Sequence, residues 1–528
     1  MNKTTADNRM PPGIPFIIGN EFAERFCYYG INAILSIYMT QFLHYGDARA
    51  TRWQSLFKAG AYLAPLLGAV VADVFWGKYR TILTFSIAYV FGCAVLALGS
   101  TTPLTLAVGL GLIALGTGGI KPCVSTNVGD QFTSKNQHLI ERAFSYFYLS
   151  INAGSAISIY FCPVLLQNYG PRLAFGMPAT MMVLATLVFW AGRKRFAVVP
   201  PAGRQWLRDI CSLEGLRLIG SLLLVYFFVA LFWALWDQGN GQTWTLQATS
   251  DLMDKNLGFG FTLLPAQIQV VNGLLILVLV PIFTFGIYPL MGRLFEVTPL
   301  RKIGVGLFLT GGSFLIVSWI EQRIQSGMRV SVWWQILAYV VLTASEVLVS
   351  ITALEFSYKQ APLRMKSFVM ALFLLSISFG NAITAIVNSA MVVPLTRSSV
   401  ETGEQTWVNL PPGAHFVVGQ KVDFSGHTGV TVRSSGGATD ELAGTYRTAE
   451  VTGNRIRLMD SAHRKSVAST GTWDAEHGQV STYKLVGPQY FNFFAYGIEG
   501  FAVLFILVAA LYRERSYVRA DASASGPA

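Results

Sequence analysis

Apolar runs of about twenty residues recur along this 528-residue chain, separated by short polar turns. At 1.5 Å of rise per residue, ~20 residues of helix are what a bilayer's hydrocarbon core requires. The pattern predicts twelve spans, at about 16–43, 53–73, 81–100, 104–127, 143–166, 173–191, 218–241, 265–288, 300–320, 331–356, 366–394 and 488–512. Residues 397–487 follow a different period. Short alternating runs such as His415-Phe416-Val417-Val418 and Asn454-Arg455-Ile456-Arg457-Leu458 are divided there by Gly-rich breaks at 434–437 and 451–454. Such alternation between turn residues is the mark of short strands. The expected architecture is an all-α polytopic membrane protein with a small β-rich insert between helices 11 and 12. Its parts are a six-helix bundle at 1–191, a basic linker at 192–217, helices 7–11 at 218–396, the insert at 397–487, and helix 12 with its tail at 488–528.

Composition agrees with this reading. Only 13% of residues are charged and mean hydropathy is +0.47, against about 25% charged for a soluble domain. The net charge of +11 would suit nucleic acid, but its distribution does not. With the N-terminus placed in the cytoplasm, 21 of the 39 Lys and Arg fall in cytoplasmic loops and tails, six in short outer loops, three in helices and nine in the insert. That asymmetry is the positive-inside pattern. It puts both termini in the cytoplasm and the insert outside, and a bacterial inner membrane is the expected location. No cleavable signal peptide is visible, because the first apolar run carries charges and lacks a small-residue cleavage site. The five cysteines, Cys27, Cys93, Cys123, Cys162 and Cys211, lie outside the insert, so no disulfide framework is expected.

Chemistry concentrates in the first span, in Glu21-Phe22-Ala23-Glu24-Arg25-Phe26-Cys27-Tyr28-Tyr29-Gly30. At about 100° per residue, positions 21, 24, 25, 28 and 32 share one helix face. Charge is costly inside a bilayer, so this stripe must face protein or a water-filled path. Two acids against one base leave a carboxylate over, which is what proton chemistry needs. Lys121, in Gly116-Thr117-Gly118-Gly119-Ile120-Lys121-Pro122-Cys123, also needs a counter-charge. We therefore expect Glu21, Glu24, Arg25 and Lys121 to form one coupled network. The remaining charged residues of the spans are Lys58, Asp237, Glu346 and Glu355.

These stretches resemble a known family. Six helices plus six is the organisation of major facilitator transporters, and 68–80 resembles their Gly-x-x-x-Asp-x-x-x-Gly-(Lys/Arg) loop. The run at 21–29 resembles the Glu-x-x-Glu-Arg-Phe-x-Tyr-Tyr motif of proton-dependent oligopeptide transporters, and 147–155 resembles their second signature. Residues 232–238, 244–247 and 355–362 are similar to further stretches of that family. The resemblance implies a symporter that imports di- and tripeptides by alternating access, with the proton as coupling ion and no other cofactor. It implies proton coupling by Glu21, Glu24, Arg25, Lys121 and Asp237, and a peptide amine held by Glu346. It also implies a cavity lined by Tyr28, Tyr62, Asn152 and Asn272. Glu355 and Lys359 are inner-gate candidates by position alone.

The chain departs from the family at one informative place. Where many relatives carry an arginine for the peptide's carboxylate, this chain has Asn32. Lys58, three residues after Ser55 and four before Tyr62, has two open readings. It supplies the missing cation, to the peptide or to Asp237, or it snorkels to the outer interface. The competing functions are a drug or solute exporter of the same superfamily, and a non-transporting sensor acting through the insert, whose partner the sequence does not indicate. No nucleophile–base set, phosphate loop or metal spacing appears, and His415, His427, His463 and His477 are scattered. An enzyme and a metal site are not expected.

Overall fold

The computed structural model describes residues 9–99, 102–132, 136, 139–197, 212–258, 260–294, 296–360, 366–433, 439–461 and 465–512. Most of the basic linker, the break at 434–437, His463 and the C-terminal tail lie outside the described residues. Helices α1 (Ile14–Gln41), α2 (Asp47–Val70), α3 (Lys78–Ala97), α4 (Pro103–Asp130), α5 (Ile140–Tyr169) and α6 (Pro171–Ala191) make the first half. The second half begins with α7 (Leu213–Gly239) and a short α8 (Thr243–Ala248). The next span is broken into α9 (Val270–Ile282), a π-turn at 283–287 and α10 (Tyr288–Leu294). Then come α11 (Pro299–Gln325), α12 (Val332–Glu346), a π-turn at 347–351, α13 (Thr352–Gln360), α14 (Lys366–Met391) and α15 (Pro488–Leu511). Among the described residues, eleven helical stretches are long and apolar enough to cross a membrane. Helix α1 carries the charged stripe and packs with them as the twelfth, burying Glu21, Glu24 and Arg25.

The apolar interior is divided in two. One cluster gathers Ile14, Phe26, Tyr89, Ile113 and Phe189 from the first half, and the other gathers Phe232, Trp244, Phe314, Phe356 and Phe505 from the second. Within the first half, α2 and α4 approach closely at Gly68, where a Cβ would lie 2.6 Å from the Gly119 Cα. Only glycine fits there. Across the halves, the Ser378 hydroxyl of α14 donates to the Ala59 carbonyl of α2 at 2.7 Å.

Four short strands, β1 (Met253–Asp254), β2 (Asn256–Gly258), β3 (Phe261–Thr262) and β4 (Val330–Ser331), sit in the turns of the second half. The insert holds β5 (Val392–Pro394), β6 (Ser399–Glu401), β7 (Trp407–Asn409), β8 (Lys421–Ser425), β9 (Val430–Arg433), β10 (Thr439–Glu441), β11 (Gly444–Thr452), β12 (Arg455–Asp460), β13 (Ser469–Gly471) and β14 (Gln479–Tyr483). They form an antiparallel seven-stranded sheet, ordered β5-β14-β8-β11-β12-β7-β6, and a three-stranded sheet, β10-β9-β13. Alternate residues meet in a separate core with Val408, Val422, Phe424, Val430, Ile456 and Leu458. The sheet starts earlier than the sequence suggests. Helix α14 stops at Met391 and β5 follows at once, pairing Val392 with Tyr483.

Candidate functional site

The charged stripe folds onto itself. Arg25 Nε lies 2.7 Å from Glu21 Oε1 and 2.9 Å from Glu24 Oε2, all three side chains being buried. The other Glu24 oxygen accepts from the Thr117 hydroxyl of α4 at 2.6 Å. Among the described residues, Glu21 Oε2 is buried without a hydrogen-bond partner. Two carboxylates thus share one guanidinium away from bulk water, and a proton is what would balance them.

Among the described residues Lys121 makes no direct ion pair with this cluster, although its charge acts on Glu21, Glu24 and Arg25 through space, as the coupled network expected from sequence requires. Its Nζ lies over the Tyr62 ring, 4.0 Å from the centroid. The ring's negative face supplies part of the counter-charge that a carboxylate would otherwise give. Tyr62, Lys121, Asn152, Asn272 and Glu346 all keep part of their surface accessible, whereas the stripe behind them is closed off. Tyr28 is buried, with its ring against Phe57 and Tyr29.

On the second half, Glu346 ends α12 immediately before the π-turn at 347–351. Single-turn π-bulges of this kind recur at functional sites. Its Oε2 accepts from Trp236 Nε1 at 2.8 Å and from Asn272 Nδ2 at 2.8 Å, and Asn272 also reaches the Thr343 hydroxyl at 3.0 Å. Two donors thus orient the carboxylate through one of its oxygens. An acid on the second half and a base on the first thus each keep part of their surface accessible.

Lys58 does not snorkel. Helix α2 starts at Asp47, which puts Lys58 about 16 Å down the helix, too deep for its head to regain water. Its Nζ lies 2.8 Å from Asp237 Oδ1, both side chains buried, and also donates to the Asn240 carbonyl at 2.7 Å. Asn381 Nδ2 donates to the other Asp237 oxygen at 2.5 Å. Asn32 sits beside this pair, its backbone and side-chain oxygens accepting from Gln54 Nε2 at 2.9 and 3.1 Å. The Lys58 contacts with Asp237 and Asn240 join the two halves at the end that carries the insert.

Glu355 is exposed on α13, one turn before Lys359, whose side chain lies outside the described residues, as does that of Asp73 in the loop motif. Several site residues were not singled out by sequence. Asn381, Trp236 and Thr343 are neutral, and nothing in their spacing marks them as partners of buried acids. Lys78, in the loop motif, pairs with Asp130 at the end of α4 at 2.5 Å.

Fold and site define a two-bundle membrane protein with the major facilitator arrangement. The POT family model matches residues 79–213 and 204–408, and the chain belongs to that family. It is similar to solute carrier family 15 member 2 of Danio rerio, 39% identical over 360 residues that cover 59% of this chain and 50% of that protein. It is similar also to peptide transporter family 1 of Drosophila melanogaster, 37% identical over 375 residues covering 61% and 50%. The chain spans about half the length of the curated relatives it matches. Two solved structures agree. The POT family transporter PepTSo superposes with a TM-score of 0.65 at 34% identity, over 72% of this chain and 90% of that one. An auto-inhibited POT family peptide transporter gives 0.70 at 28%, over 97% and 99%.

Proposed function

We propose that this protein is a proton-coupled symporter that imports di- and tripeptides by alternating access. The observation that carries the reading is the surplus of buried carboxylate in Glu21, Glu24 and Arg25, with a partly accessible acid, Glu346, on the second half and a partly accessible base, Lys121, on the first. A zwitterionic peptide has the complementary poles. Its amine meets Glu346, and its carboxylate meets Lys121 while Lys58 is held by Asp237. Tyr28, Tyr62, Asn152 and Asn272 shape the cavity between them. The relatives named above as peptide transporters support this substrate class.

A proton neutralises one of Glu21, Glu24 and Asp237. Protonated Asp237 no longer holds Lys58, so the seal at the insert end loosens and the halves rock about the site. Glu355 and Lys359 act at the opposite, inner gate. The membrane potential adds ~2.3 kcal/mol per charge per 100 mV. Both termini lie in the cytoplasm, the insert outside, and the bilayer is a bacterial inner membrane. The test is uptake of labelled dipeptide into proteoliposomes under an imposed pH gradient. Gradient-driven accumulation, competed by unlabelled dialanine, is expected; its absence from correctly oriented, folded protein overturns the reading.

A further inference from the structure

We infer that the β-rich insert is an outer lock on the transport cycle: anchored in the second half, it holds the first half shut by gripping the first turn of α2. This rests on the alternating-access reading above. The insert is continuous with the second half at both ends, through β5 from α14 and through 484–487 into α15. It is also clamped there. Arg447 Nη2 lies 3.1 Å from Glu321 Oε1 of α11, each side chain only 4% exposed. The other Glu321 oxygen accepts from Gln247 Nε2 at 3.0 Å, and Arg447 Nη1 donates to the Gly419 carbonyl at 3.1 Å. A buried ion pair with these hydrogen bonds ties the insert firmly to α11.

The contact with the first half is of another kind. A helix leaves its first N–H groups without partners, and the α2 N-cap is Gly46, which has no side chain to accept from them. The insert provides the acceptors. Asp47 N donates to Thr445 Oγ1 at 2.9 Å and Ala48 N to the Tyr483 hydroxyl at 3.3 Å. Lys421 pairs with the Asp47 side chain. The Asp423 carboxylate accepts from Thr445 at 2.7 Å and from Tyr483, and it fills the space a Gly46 side chain would need. Deeper contacts between the halves, Lys58–Asp237 and Ser378–Ala59, lie further down the same seam. Opening toward the insert side therefore has to undo the Asp47 and Ala48 contacts as well.

The experiment is a disulfide across the seam. A cysteine at Gly46 and one at Asp423, in a background freed of the native cysteines, bring their Cβ atoms within bridging range. Oxidised Gly46→Cys/Asp423→Cys protein is expected to lose at least about tenfold of its gradient-driven dipeptide uptake, with recovery on reduction. It should also exchange amide hydrogen more slowly around 235–245, where the deeper seal lies. If verified cross-linked protein keeps uptake within about twofold, or if exchange at 235–245 is unchanged, the lock is overturned. If the reduced protein takes up no dipeptide, the substrate reading fails while the exchange measurement still decides the lock. In a second variant, Thr445→Ala/Tyr483→Phe, exchange at Asp47 and Ala48 should rise about tenfold; unchanged exchange there also overturns it.

Discussion

Lys58 of the first half and Asp237 of the second meet at 2.8 Å in a site closed to solvent, with Asn381 holding the acid's other oxygen. The ammonium reaches across the seam from α2 to the acid on α7. Removing one partner strands a buried charge, an effect of about 3–5 kcal/mol. Lys58→Ala is expected to destabilise the closed state at the insert end and to cut uptake by at least about tenfold. Lys58→Met/Asp237→Asn should recover thermal stability without recovering proton coupling. Unchanged uptake by Lys58→Ala would remove Lys58 from the gate.

Glu24→Gln keeps the Thr117 contact but removes one charge from the buried cluster. Accumulation driven by a 100 mV potential should fall by up to about fortyfold, the equivalent of 2.3 kcal/mol. Counterflow exchange of dipeptide, which needs no net proton movement, should persist. Retained gradient-driven accumulation by this variant refutes the coupling assignment.

Glu346→Gln removes the acid proposed to hold the peptide's amine. A charge-assisted hydrogen bond contributes about 1.5–3 kcal/mol, so KM for dipeptide should rise roughly tenfold to a hundredfold. Trp236→Phe and Asn272→Ala remove the two donors that orient this carboxylate, and each should raise KM less. A peptide analogue lacking the amine should bind wild type and Glu346→Gln alike.

The pH dependence of insert docking follows from Asp423. Burial pushes its carboxyl up from the ordinary 3.8 to about 7; the Asp47 charge adds to this, and the Tyr483 and Thr445 hydrogen bonds and Lys421 oppose it. Arg49, Arg52, Arg397 and Glu476 line the same opening. A raised value means the docked state takes up a proton that the released state gives up. This contribution to docking is complete below about pH 4 and is lost as pH rises through about 7. Exchange at Asp47 and Ala48, corrected for intrinsic rate, should be slower at pH 5 than at pH 8. Asp423→Asn should flatten that difference.

Arg447→Met breaks the buried pair with Glu321, for about 3–5 kcal/mol. Faster exchange across β8 and β11 is expected, and Glu321→Gln in the same chain should restore part of it. Equal exchange in wild type and Arg447→Met would show that the insert does not depend on this pair.

Sequence by itself determined the membrane architecture, because lipid imposes one length and one composition on every span. It determined the insert's β character as well, through alternation between glycine breaks. It also marked the Glu21, Glu24 and Arg25 stripe, since three charges inside one apolar helix stand out against their surroundings. Only α1 shows how that reads locally: its residues pair within one turn, so the spacing carries the geometry. Elsewhere the partners are far apart in the chain. Lys58 finds Asp237, Arg447 finds Glu321 and Lys421 finds Asp47 through helix and sheet packing. Sequence offered Asp237 only as one open reading for Lys58, and the local pattern encodes neither of the other two choices. Lys121 makes the same point, since its ammonium lies on the Tyr62 ring. Which counter-charge a buried cation meets depends on which element faces it, and that is decided by packing within each half, as for Lys121, or across the two halves, as for Lys58.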